Sequence, residues 1–121
     1  YNSQELATAV KYKINVVVIV FNDNAYGNVL RDQIHKFDGR ALGSELHNPD
    51  FVKLAESFGM MGIRVTDKTQ VRAAIEKAMR HDGPVLVDFI VQQDDNVYPM
   101  IPAGTSIDNL IEEPSLEGVN L

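Results

Sequence analysis

Cysteine is missing altogether from the 121 residues, which excludes a disulfide framework, a thiolate zinc site and thiol catalysis. Long apolar runs are missing too. The longest, Val16 to Phe21, falls far short of the roughly 20 residues that a membrane-spanning helix needs. Positive charge is in deficit: 11 Lys and Arg stand against 17 Asp and Glu, a formal net charge of −6. That balance disfavours sequence-independent nucleic-acid binding, which works through basic side chains on phosphates, so neither a nucleic-acid nor a membrane partner is expected. The deficit is local. Residues 1–92 carry 11 acids and 11 bases, whereas residues 93–121 carry six acids and no Lys or Arg. The division expected is therefore a neutral body over 1–92 and an acidic C-terminal tail over 93–121. The chain opens on Tyr1 and runs straight into a helical pattern without signal-peptide features, so it reads as part of something longer.

What is present is an ordinary globular composition, 45% apolar and 23% charged, at a length typical of one domain. Asn2-Ser3-Gln4-Glu5 precedes Leu6, Ala9 and Val10, the spacing of a helix face ending near Lys13. Ile14 to Phe21 is nearly all β-branched, with no polar residue after Asn15. Burial on both faces explains such a run, and it predicts a central strand of a parallel sheet. A second helix is expected after Gly27 through about Lys36, then a long loop from Phe37 to His47. Asn48-Pro49 reads as a helix start, with Asn as N-cap and Pro at the first position. Phe51, Leu54, Ala55 and Phe58 line that helix. Gly62 to Thr66 is a short strand, Asp67 caps a helix carrying Val71, Ala74, Ile75, Ala78 and Met79, and Val85 to Val91 is a second buried strand. Tyr98 to Gly104 is extended loop, and Ser106 caps a short helix through Ile111. Helices alternating with apolar strands predict an α/β fold, a partial doubly wound parallel sheet with helices on both faces.

In open α/β sheets, ligands bind beyond the carboxyl ends of the strands. Here the first strand runs into Asn22-Asp23-Asn24-Ala25-Tyr26-Gly27. Three consecutive oxygen-donor side chains suit a hard cation such as magnesium, and the helix N-terminus behind them suits phosphate. The same residue types also make ordinary turns, so spacing leaves both readings open. His35, His47 and His81 are scattered and read as surface or structural. Asp88, inside an apolar strand, needs a partner or a place near the strand's exposed end.

The stretch Val20-Phe21-Asn22-Asp23-Asn24-Ala25-Tyr26-Gly27-Asn28-Val29 resembles the second half of the thiamine diphosphate motif of acetolactate synthase-like enzymes. That motif starts with Gly-Asp-Gly and ends in an Asn-Asn pair closing a strand. The resemblance continues through residues 48–55, 62–65 and 83–87, and ends with Asn96-Val97-Tyr98-Pro99-Met100-Ile101-Pro102. It implies a thiamine diphosphate cofactor held through Mg2+. Asp23 and the carbonyl of Ala25 are the implied metal ligands, with Asp23 standing where the family has Asn. Asn22, Tyr26, Gly27 and Asn28 complete the implied cofactor contacts, Asn28 facing the reactive carbon. Val29 stands where pyruvate decarboxylase-like enzymes carry a catalytic Glu, which argues against such a decarboxylase.

The Gly-Asp-Gly segment is implied to lie just before Tyr1, and the cofactor-activating Glu in another domain, usually of a partner subunit. No catalytic residue is assigned within the chain. By this resemblance residues 1–92 are a truncated thiamine diphosphate-binding domain, inactive alone. The parent decarboxylates a 2-keto acid and joins the product to a second carbonyl, in branched-chain amino-acid biosynthesis in the cytoplasm. A homodimer or homotetramer is implied, and FAD in the parent is left open. The tail from Tyr98 is implied to fold over the active site. Two other thiamine diphosphate readings are a benzoylformate decarboxylase-like and an aldehyde lyase-like enzyme. A rival of another class is a receiver-type regulatory domain with Asp23 as phosphoacceptor; it needs an acidic pair closing its first strand and a Lys closing a later one, which this chain lacks.

Overall fold

Three apolar runs become strands: β1 (Val17–Asn22), β2 (Met61–Val65) and β3 (Val85–Ile90). In this computed structural model, which describes residues 2–93 and 97–112, they form one parallel sheet in the order β1-β3-β2, with Val17 and Met61 both opposite Val85. Helix α1 (Glu5–Lys11) precedes β1, α2 (Gly27–Lys36) and α3 (Phe51–Ser57) lie between β1 and β2, and α4 (Val71–Arg80) lies between β2 and β3. Parallel neighbours need crossovers, and α4 supplies the one between β2 and β3.

Alternation along the strands sends residues to two cores. On one face Val85, Val87 and Phe89 of β3 pack with Val65 and with Ala74 and Ala78 of α4. On the other, Leu86 packs with Ala55 and Met60, joined by Leu6 and Val10 of α1 and Val18 and Val20 of β1. Helices on both faces of a parallel sheet are the doubly wound arrangement that the alternation predicts.

β1, expected as a central strand, stands at an edge of the sheet. β3 is central and buried over Val85–Phe89, whereas in β1 Ile19 is 44% and Phe21 73% exposed. α4 lies over β3 and β2, and Phe89, stacked on Phe21 with ring centroids 5.9 Å apart, partly covers that end of β1. A uniformly apolar run signals two faces that favour burial; it carries nothing about which strand has neighbours on both edges.

Capping differs in two places: α1 has Gln4 as its N-cap with no side-chain cap bond, although Asn2 to Glu5 reads as a capping stretch, and α3 is capped by another residue than expected. Asp50, not Asn48, is the N-cap of α3, its carboxylate accepting from the backbone N–H groups of Val52 and Lys53. Asp67 caps as expected, in a capping box with Gln70, though one turn of 3₁₀ helix (Lys68–Gln70) precedes α4. Ser106 likewise accepts from the Asp108 N–H at the start of the short 3₁₀ turn Ile107–Asn109. Of the acidic tail, residues 94–96 and 113–121 lie outside the described residues. No helix among the described residues is long and apolar enough to cross a membrane.

Candidate functional site

β1 ends at Asn22, and α2 begins at Gly27. The four residues between form a tight turn at the carboxyl edge of the sheet, where an open α/β fold places its ligands. The turn is held from inside. Asp23 Oδ1 accepts from the Ala25 N–H at 3.0 Å, a side-chain-to-backbone turn of the kind Asp favours. Asn24 sits in the left-handed region, at φ 56°, which Asn tolerates better than most residues. Ala25 bridges to Glu45: Tyr26 N–H donates to the Ser44 carbonyl at 2.8 Å, and Leu46 N–H to the Asn24 carbonyl at 2.7 Å. Ser44 is buried, and its hydroxyl donates to Gln33 of α2. The 37–47 loop thus braces both the turn and the helix behind it. Gln93 reaches back to the Asp23 carbonyl at 3.2 Å.

Three kinds of group remain free at this edge. Among the described residues Asp23 Oδ2 and the Ala25 carbonyl accept no hydrogen bond. The first backbone bond of α2 runs from Leu30 N–H to Tyr26, so among the described residues the N–H groups of Gly27, Asn28 and Val29 have no backbone acceptor, and no acid stands in the first turn. Oxygen donors for a cation therefore adjoin unpaired N–H donors for an anion. Gly27 is required by contact rather than by conformation: a Cβ there would stand 2.6 Å from Asp23 Oδ2. The side chains of Tyr26 and Asn28 are exposed beside it.

Asn22 has another task. Its side chain is 7% exposed; Nδ2 donates to Asp88 Oδ1 at 3.2 Å, and Oδ1 accepts from Asn48 Nδ2 at 2.8 Å and from the Asn24 N–H at 3.3 Å. Asp88, 0% exposed, has its other oxygen on Arg64 Nε at 3.2 Å, and Arg64 Nη2 reaches Asp50 at 2.7 Å. The Lys53 N–H first, then the Arg64 guanidinium, hold the Asp50 carboxyl below its ordinary range. Asp50, then Asp88, raise Arg64 above its own. The partner that Asp88 requires is thus Arg64, two strand residues facing each other across β2 and β3.

Of the expected site residues, the structure gathers Asn22, Asp23, Ala25, Tyr26, Gly27 and Asn28 on one edge, with Asn22 turned inward. Asn48, Asp50 and Arg64 join them from below and were not expected there. A usable signal existed: one base and one acid, each inside a short apolar strand, are each other's natural partner. His35 sits at the end of α2, His47 in the loop and His81 at the C-cap of α4.

Comparison with known proteins places the chain in a family. The model of the thiamine pyrophosphate enzyme C-terminal TPP-binding domain matches residues 1–89. The chain is 38% identical over 107 residues to the acetolactate synthase large subunit of Cyanidium caldarium, covering 87% of this chain and 18% of that protein. To the large subunit of Corynebacterium glutamicum it is 39% identical over 110 residues, 86% of this chain and 18% of that one. Among solved structures it resembles the thiamine diphosphate-dependent 4-hydroxybenzoylformate decarboxylase of Rhodococcus jostii RHA1, with a TM-score of 0.71, 30% identity and coverage of 79% and 18% of the two chains. The chain spans 18% of the length of each of these relatives. It belongs to the thiamine pyrophosphate enzymes, whose C-terminal cofactor-binding domain its first 89 residues match.

Proposed function

We propose that the turn from Asn22 to Asn28 holds thiamine diphosphate through Mg2+, within an enzyme that decarboxylates a 2-keto acid and ligates the product to a second carbonyl, as an acetolactate synthase does. The observation that carries this reading is the juxtaposition of Asp23 Oδ2 and the Ala25 carbonyl with three unpaired N–H groups of α2. The donor set fits the group. A carboxylate and a carbonyl are hard oxygen ligands, and the helix N-terminus favours the diphosphate by its dipole and its free donors. Gly27 leaves room for both, since a side chain there would push on the carboxylate. Among the described residues no cluster of three or more His, Cys, Asp or Glu is available to hold a metal. Two ligands are too few for magnesium, so the remainder come from outside this turn, the Asp of a Gly-Asp-Gly segment among them.

Bound thiamine diphosphate supplies the electron sink for decarboxylation. The residues of this chain would orient it: Asp23 and Ala25 at the metal, Gly27 and Asn28 along the diphosphate, and Tyr26 and Asn28 on the exposed side. No catalytic side chain is assigned here. Val29, exposed in the first turn of α2, offers no proton. On the same resemblance residues 1–92 form the cofactor-binding unit, inactive alone. The acidic segment 93–121 follows as a tail over the site. The parent acts in the cytoplasm as a homodimer or homotetramer, and FAD remains a separate question for it.

A second reading, decarboxylation without ligation, is favoured by the likeness to the Rhodococcus decarboxylase. Calorimetric titration of the complete polypeptide encoded by the gene tests the cofactor site. Thiamine diphosphate is expected to bind with magnesium and not with EDTA, and Asp23→Ala is expected to weaken binding at least about tenfold. Binding unchanged by EDTA or by Asp23→Ala refutes the assignment. Product analysis with pyruvate separates the two activities: an acetohydroxy acid marks ligation, acetaldehyde alone marks decarboxylation.

A further inference from the structure

We infer that Asp88 and Arg64 are positioning residues for the cofactor turn, acting by dictating which way the Asn22 amide faces. This rests on the reading that the turn receives the magnesium-bound cofactor. A buried amide side chain has two orientations that differ only in exchanging donor and acceptor. Here the choice is made on the far side. A carboxylate engaged by a guanidinium accepts and does not donate, and Asp88 has Oδ2 on Arg64 Nε. Its Oδ1 can therefore face only the NH2 of Asn22, at 3.2 Å. The carbonyl oxygen of Asn22 is left to point toward the turn, where it takes Asn48 Nδ2 and the backbone N–H of Asn24.

That last bond decides the geometry of the turn. It holds Asn24 in its left-handed conformation, which reverses the chain so that Asp23 Oδ1 meets the Ala25 N–H while Oδ2 and the Ala25 carbonyl stay free. Reversed, the amide would set NH2 against N–H at Asn24, and oxygen against oxygen at Asp88. The linkage closes on itself: Arg64 also binds Asp50, two residues beyond Asn48, which returns to Asn22. All three strands and the N-cap of α3 thereby set one amide, beneath but not touching the ligand groups. Partners of metal ligands at this remove typically change affinity by roughly 10–100-fold when lost.

The inference is directional, which gives it a distinctive test in the complete polypeptide. Asp88→Asn keeps shape but lets residue 88 donate, so the Asn22 amide is no longer constrained. Magnesium-dependent binding of thiamine diphosphate is expected to weaken about tenfold, with kcat at saturating cofactor within about twofold of the parent. The double variant Asn22→Asp with Asp88→Asn exchanges acceptor and donor across the pair, still offers oxygen to Asn24 and Asn48, and is expected to return to within about threefold. Hydrogen exchange of the peptide containing Asn24, followed by mass spectrometry without cofactor, is expected to speed up about fivefold in Asp88→Asn and to recover in the double variant. If Asp88→Asn fails to fold, Arg64→Gln, at a partly exposed position, is expected to show the same pattern more weakly. Folded variants with unchanged exchange, or a double variant no better than the single, overturn the inference. Failure of the parent to bind the cofactor overturns the cofactor reading instead, while the exchange measurement still decides the orientation of Asn22.

Discussion

At the scale of the residue, the site depends on one atom that is missing. Gly27 opens α2, where alanine would raise helix propensity by about 1 kcal/mol, yet a Cβ there would meet Asp23 Oδ2 at 2.6 Å. The obstacle is the end of a side chain that can swing away, so accommodation is cheap for the fold and harmful to the ligand geometry. Gly27→Ala is therefore expected to leave the melting temperature unchanged or slightly higher while weakening magnesium-dependent cofactor binding about tenfold. A calorimetric titration beside a thermal melt reads both, and equal affinity in the two proteins would show that the Asp23 carboxylate is not a ligand. Asp23 itself departs from the Asn of the family motif. It keeps an oxygen toward the ligand side and adds charge, while its other oxygen closes the turn on the Ala25 N–H.

The element scale shows the opposite case. Gly62 in β2 lies against α3: a Cβ there would stand 2.8 Å from Val52 Cγ1, 2.9 Å from its carbonyl oxygen and 3.0 Å from its Cα. Two of these atoms are backbone and cannot rotate away. Gly62→Ala must push α3 from the sheet and is expected to cost roughly 2–3 kcal/mol, read as a lower denaturant midpoint; trimming Val52 to Ala should recover only part of it. The displacement also carries the N-cap Asp50 away from Arg64, so a strand glycine remote from the turn is linked to its support. α4 is simpler. Its apolar stripe packs Ala74 and Ala78 on β3 and β2, and Glu76 pairs with Arg80 on the outer face.

For the whole molecule, three solvent-accessible carboxyls make acid weaken the fold modestly. Asp50 lies below its ordinary value through the Lys53 N–H and Arg64, Asp67 through Thr69, and Asp32 through Lys36. A carboxyl whose folded value is depressed stabilises the fold fully above its unfolded value, and that contribution is lost as pH falls through the folded one. Stability is accordingly expected to hold from neutral pH down to about 5 and to decline below about 4. Asp50→Asn retains a capping side chain but cannot titrate. It should melt lower than the parent at pH 7 and lose less on acidification, as thermal melts at pH 3 and 7 would show. Parallel declines would place the acid sensitivity elsewhere.

Local chemistry was enough to determine much of this protein. The alternation of apolar strands and helices, a helix following the turn at Gly27, the apolar face of α4 and the Asp67 cap all follow from period and residue type, which act within a few residues. The same holds for the turn after β1, because Asn22 to Gly27 is contiguous, although residue type alone leaves open whether it carries a ligand. Tertiary structure alone made β3 central and left Ile19 and Phe21 of β1 exposed, since neighbours on both edges depend on where crossovers return the chain. It also moved the α3 cap from Asn48 to Asp50, because Asn48 is drawn to Asn22 from 26 residues away. The bonds Asn22–Asp88 and Arg64–Asp88 join positions 66 and 24 residues apart. Such convergence has no local period; it exists only once the three strands are in register and buried polar groups must find partners across them.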